Sequence, residues 1–162
     1  MKDVTCPILV TGYWIRMNTK GPVCFQTTGN SPGKFDSPYD GFISAIKVVH
    51  LFGAVTCDNR QYNHYSNWGC LNHSSHGPND LNIFLVNKNK QILRETEDYT
   101  WSWYRSELFT TMSKEFVFSN VKSPLYVNEG FQFELWYGDD MKDRNEDYSQ
   151  GESCADAYAH FV

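Results

Sequence analysis

The sequence predicts an all-β protein, an antiparallel β-sandwich of jelly-roll type braced by disulfides. Three observations lead there. Short β-branched and aromatic runs recur between clusters of Gly, Pro, Asn and Asp. No window of a dozen residues repeats apolar positions at helical spacing with a polar face opposite. The chain carries five cysteines, none paired in the tight C-x-x-C spacing of zinc ribbons or thioredoxin-type motifs.

The elements follow in order. Ile8–Arg16, with Tyr13 and Trp14, reads as a strand, and Gly21–Thr28 as a second. Asn30-Ser31-Pro32-Gly33-Lys34 is turn chemistry. Phe42–Phe52 is a long strand. Leu81–Val86 follows the turn Gly77-Pro78-Asn79-Asp80. Asn87-Lys88-Asn89-Lys90 reads as a hairpin turn, because Asn tolerates the left-handed backbone such turns need, and Gln91–Arg94 is its return strand. Phe131, Phe133, Leu135 and Tyr137 alternate with Gln132, Glu134 and Trp136, which is strand periodicity. In the last strand, Ser153–Phe161, one face carries Cys154, Asp156, Tyr158 and His160. The other carries three alanines and Phe161, small residues suited to close packing against a second sheet. Glu95–Lys114 is ambiguous, with room for a helical turn.

The 162 residues fit one domain, 1–162, with no linker-like tract. Apolar content of 41% and aromatic content of 16%, against 20% charged, exclude a disordered chain. No apolar run approaches the roughly 20 residues of a membrane helix. The opening Met-Lys-Asp-Val-Thr-Cys lacks the apolar core of a signal peptide, which fits a mature secreted chain or a cytosolic one. The cysteines favour secretion. Cys57 and Cys70 bracket the polar segment DNRQYNHYSNWG, which reads as a loop stapled at its base. Closing such a loop contributes on the order of 3 kcal/mol in the chain-entropy model. The odd count leaves one cysteine free or intermolecular, with Cys6, near the chain end, as the first suspect.

No G-x-S-x-G elbow, P-loop, H-E-x-x-H or dinucleotide fingerprint is present, so a non-enzymatic binding protein is expected. A pI near 5.4 and the lack of a basic stripe argue against nucleic acid. Between Gly138 and Asp156, seven carboxylates face only Lys142 and Arg144, a local balance of −5 that equals the net charge of the chain. Hard oxygen donors on such a loop suit Ca²⁺, with Asp139, Asp140, Asp143 and Asp156 as candidate ligands, although their spacing is not that of an EF-hand. The competing reading is a solvated acidic loop. His64, His73 and His76 are locally dense but match no ligand spacing, and a polar surface loop accounts for them.

Trp101 and Trp103 stand at alternating positions with Tyr104 and Arg105, so their indoles share a side if the segment is extended. Together with Trp68 they are candidates to meet a partner, since amphipathic rings stack on sugars and dock in receptor pockets. The alternative is that they cover the core.

GFISAIKVVH, the Cys57…Trp68-Gly69-Cys70 pair, PNDLNIFLVNKNKQIL, SNVKSPLYVNEGFQFELWYGDD and ESCADAYAHF together resemble a cysteine-containing extracellular domain of cnidarian secreted and matrix-type proteins. The resemblance spans roughly residues 41 to 161. It is most specific in Leu135–Asp140 and Cys154–Tyr158, and the first 40 residues match nothing. It implies secretion, a β-rich fold, a Cys57–Cys70 bridge and a partner for Cys154 outside that loop, with Cys24 the choice. A free-standing chain of this size also looks like protein toxins of stony corals. Two roles are therefore expected. One is a toxin acting on a cell-surface target such as a voltage-gated ion channel, with Arg105 and Lys114 flanking its aromatic anchors. The other is a calcium-dependent carbohydrate-binding or adhesion module of an extracellular matrix.

Overall fold

The computed structural model describes residues 13–93, 101–119 and 124–162. Its strands are β1 (Tyr13–Arg16), β2 (Val23–Gln26), β3 (Gly33–Asp36), β4 (Gly41–Thr56), β5 (Asp80–Leu81) and β6 (Ile83–Asn87). They continue with β7 (Tyr104–Arg105), β8 (Glu115–Ser119), β9 (Leu125–Val127), β10 (Gln132–Tyr137) and β11 (Gln150–Phe161). Among the described residues one short α-helix, α1 (Gly138–Lys142), sits between the last two, and Tyr62–His64 form a 3-10 turn after β4. The expected all-β, antiparallel class is what the chain adopts.

A six-stranded sheet runs in the order β1-β11-β4-β8, with β2 also on β11 and β9 also on β4. A three-stranded sheet, β3-β10-β6, faces it, and β5 pairs with β7 apart from both. Every strand pairing is antiparallel. One core cluster draws on both sheets: Ile46, Val48, Phe116, Ala155, Ala157 and Ala159 from the larger, and Phe35, Ile83, Leu85, Phe133 and Leu135 from the smaller. The alanine face of β11 turns inward as its pattern requires, and Phe35 stacks on Phe133 with centroids 5.2 Å apart. Burying side chains of this size contributes about 1.5–3 kcal/mol each.

Two bridges brace the sheets. Cys24 and Cys154 are direct neighbours across β2 and β11 and are bonded, and Cys57 is bonded to Cys70. Both pairings match the expectation. Cys6 and the expected strand start at 8–12 lie outside the described residues.

The 87–90 turn forms, with Lys90 N–H donating to the Asn87 carbonyl at 3.0 Å and Lys90 left-handed at φ 58°. Over 91–93 its return strand is a single bridge, Val86 to Ile92, with backbone hydrogen bonds from Asn87 to Gln91 and from Leu93 to Leu85 on either side, and Arg94 lies outside the described residues. The ambiguous segment holds no helix over 101–114; it contributes β7, and 95–100 lie outside the described residues. The acidic segment is not one loop. Its first five residues are α1, with Asp139 and Asp140 in the first turn, where carboxylates complement the helix dipole, and its end is the start of β11.

Candidate functional site

Four segments enclose a cleft of about 440 Å³. The base of the bridged loop brings Cys57, Asp58 and Arg60, and the turn after it brings His73 and His76. The segment before β7 brings Trp101, Ser102 and Trp103. The acidic segment brings Asp139, Arg144, Asn145, Asp147 and Tyr148. The Cys57–Cys70 bridge holds the first wall. The second is held by Gly138, whose N–H donates to the Asn82 carbonyl at 2.6 Å, while Asn82 Nδ2 donates to the Ser102 carbonyl at 3.3 Å.

Charge in the cleft is fixed in place. Asp58 is buried and takes Arg60 in a two-point grip, from Nε at 2.7 Å and from Nη2 at 2.8 Å. Arg60 also donates its backbone N–H to the same carboxylate at 3.1 Å. That guanidinium holds the Asp58 carboxyl far below the usual carboxylate range, and the carboxylate in turn raises Arg60. The Arg60 guanidinium lies over the Tyr148 ring, 4.3 Å from its centroid. Across the cleft Asp139 is buried and accepts the Ser149 hydroxyl at 2.7 Å. Burial pushes its carboxyl upward, against the hydroxyls of Ser102 and Ser149, which pull it down.

The histidines form a ladder. Ring centroids are 5.6 Å apart for His64 and His73, 5.3 Å for His73 and His76, and 5.0 Å for His76 and Trp103. His64 Nδ1 lies 2.7 Å from the Leu71 carbonyl, and His73 Nε2 lies 3.6 Å from Asp58. Burial, then the neighbouring His73, lowers the His76 pKa, and Asp80 opposes them.

The residues singled out from the sequence divide. Trp101, 63% exposed, and Trp103 line the cleft together with Ser102 between them. Tyr104 turns the other way. Its hydroxyl donates to the Ile83 carbonyl at 2.7 Å, and its ring packs on Phe84. Arg105 is exposed but pairs with Asp80 at 3.1 Å. Trp68 is corrected: it is fully buried, donates its indole N–H to the Ser113 carbonyl at 2.7 Å and stacks with Phe25, so it faces no partner.

The four candidate calcium ligands do not all gather at one point. Both Asp140 oxygens accept backbone N–H groups, of Asn30 and Ser31, at 2.8 Å each. Asp156 pairs with Arg16 at 3.1 Å and accepts Asn18 Nδ2 at 2.8 Å on the large sheet. Asp143 is the left-handed cap of α1, and Asp139 alone lines the cleft. Among the described residues no three carboxylates gather within ion-binding distance. Sequence reasoning missed Asp58, Arg60 and Tyr148. The one signal for Asp58 was its place beside Cys57, at the mouth of a bridged polar loop.

Two disulfides and antiparallel sheets are consistent with an extracellular protein, and no helix among the described residues is long and apolar enough to cross a membrane. No protein-family model matches the chain, and no curated protein does. Among solved structures it is similar to AJLec from the sea anemone Anthopleura japonica, at 32% identity over 93% of this chain and 98% of that one, with a TM-score of 0.83. The chain belongs to the AJLec family. That relative is cnidarian, where the sequence resemblance pointed, and by its name it is a lectin.

Proposed function

We propose that the protein is a secreted lectin and that the 57–148 cleft is its glycan site. The observation that carries this reading is the exposed Trp101 indole in the same cleft as a buried Asp58 held in a two-point pair by the exposed Arg60. Sugars present apolar C–H faces and a ring of hydroxyls, so they need an aromatic platform and fixed planar donors and acceptors side by side. Trp101 and Tyr148 are the platforms. Arg60, the cleft-facing carboxylates and the Asn145 amide supply the hydrogen bonds. The relationship to a protein that is a lectin by name supports the same reading.

We propose calcium as the cofactor of this binding. Asp139, Asp147 and Asn145 are the hard oxygen donors that face the cleft, and Ca²⁺ bridges readily between protein oxygens and sugar hydroxyls. The channel-toxin reading draws less support, because Arg105 spends its charge on Asp80 and Lys114 donates its ammonium to the His50 carbonyl. Patch-clamp recording on cation channels at micromolar protein tests that alternative directly.

A glycan array followed by calorimetry, after chelator stripping and again in millimolar Ca²⁺, tests the proposal. Binding that needs Ca²⁺ and is lost in Trp101→Ala supports both parts. Binding indifferent to chelator removes the calcium part, and a silent array in Ca²⁺ removes the lectin reading.

A further inference from the structure

The geometry points to a transition-metal site, of the zinc or copper class, on the imidazoles of His73 and His76 in the wall of the cleft. It is independent of the glycan reading. One ligating nitrogen from each ring and the Cys57 sulfur all lie within 4.8 Å of one another. Two imidazole nitrogens bound tetrahedrally at zinc distances are about 3.3 Å apart, so small side-chain rotations bring the pair to bonding range. Cys57 is bonded to Cys70 and therefore supplies no thiolate, which leaves the imidazoles as the ligands.

The hydrogen bonds around His73 arrange it for this role. Its Nδ1 accepts the Ser75 N–H at 3.1 Å and so carries the lone pair, while Nε2 faces the Asp58 carboxylate at 3.6 Å. A carboxylate behind a histidine, with the opposite nitrogen offered to a metal, is the usual way such ligands are oriented and made more basic. An ion at Nδ1 displaces only the Ser75 N–H, which lies in an exposed turn open to water.

His76 contributes the second observation. Its Nδ1 is buried and has no hydrogen-bond partner, a condition that costs free energy unless something binds there. Trp103 packs edge-on against the ring at 5.0 Å and limits its rotation. Imidazole pairs select zinc, copper and nickel over calcium, so this site and a calcium site in the same cleft take different ions.

The test is calorimetric titration of the chelator-stripped full chain with Zn²⁺. One-to-one saturable uptake is expected, weakened by more than about tenfold in His73→Ala and in His76→Ala, unchanged in His160→Gln and unaffected by millimolar Ca²⁺. Because substitution at His76 can disturb the wall, a second measurement uses the unsubstituted protein: stoichiometric Cu²⁺ must broaden the imidazole NMR signals of His73 and His76 and spare His160. No zinc uptake at roughly 100 µM, uptake at full strength in both variants, or broadening spread over all histidines overturns the site. Uptake that appears only after a reductant also overturns it, since the Cys57 thiolate would then be the ligand.

Discussion

Gly138 lies against the carbonyl of Ser102 so closely that a methyl group on the glycine would overlap the carbonyl oxygen. This contact joins the start of the acidic segment to the tryptophan segment. Asn82, buried between them, bonds to both backbones. Gly138→Ala therefore forces the two walls of the cleft apart. Overpacking of this kind costs about 1–3 kcal/mol, and the urea midpoint is expected to fall accordingly. An unchanged midpoint would show that the walls are not coupled through this contact.

The strands were legible where one face is buried. The alternation in β10 and the alanine face of β11 follow from the pleat, and both are packed as their patterns require. The cleft was legible only in part. Trp101 and Trp103 announced themselves by alternation, but Trp68 has the same composition around it and is core. Nothing local separates an indole that finds Ser113 and Phe25 from one that faces solvent. The aspartates failed for the same reason. Asp140 and Asp156 find partners more than 100 residues away along the chain, so a cluster in sequence disperses in space.

Two tryptophan substitutions are expected to part company. Trp101→Ala removes an exposed ring, so stability is expected within about 0.5 kcal/mol of the parent while glycan affinity collapses. Trp68→Ala empties a fully buried site and removes the shorter of the two hydrogen bonds to the Ser113 carbonyl, for a cost of about 3–5 kcal/mol. Paired urea melts and calorimetry check both; equal destabilisation by the two variants would contradict the assignment.

The Cys57–Cys70 bridge closes a short loop whose base carries Asp58 and Arg60. Replacing both cysteines by serine is expected to lower stability by about 3 kcal/mol in the chain-entropy model. Because Asp58 follows Cys57 directly, glycan binding should weaken by more than the fraction unfolded explains. Affinity measured well below the midpoint, where the variant is folded, separates the two effects. An affinity equal to the parent's there would mean that the bridge stabilises the fold without positioning the site.

Asp139 and Asp58 titrate in opposite senses, and this makes the cleft testable by pH. Burial raises the Asp139 carboxyl, so its favourable contribution is complete below the ordinary value of 3.8 and is lost as pH rises through the higher folded value. Asp58 is held low by Arg60, so its contribution is present above the ordinary range and is lost only in strong acid. Asp139→Asn keeps the shape and removes the buried charge. In chelator, the variant is expected to be more stable than the parent at pH 7, and the gap should shrink as pH falls toward 4. Urea midpoints at the two pH values measure the gap directly. A gap that is constant with pH would mean that Asp139 carries no burial penalty, and that its carboxylate is satisfied by Ser102 and Ser149 alone.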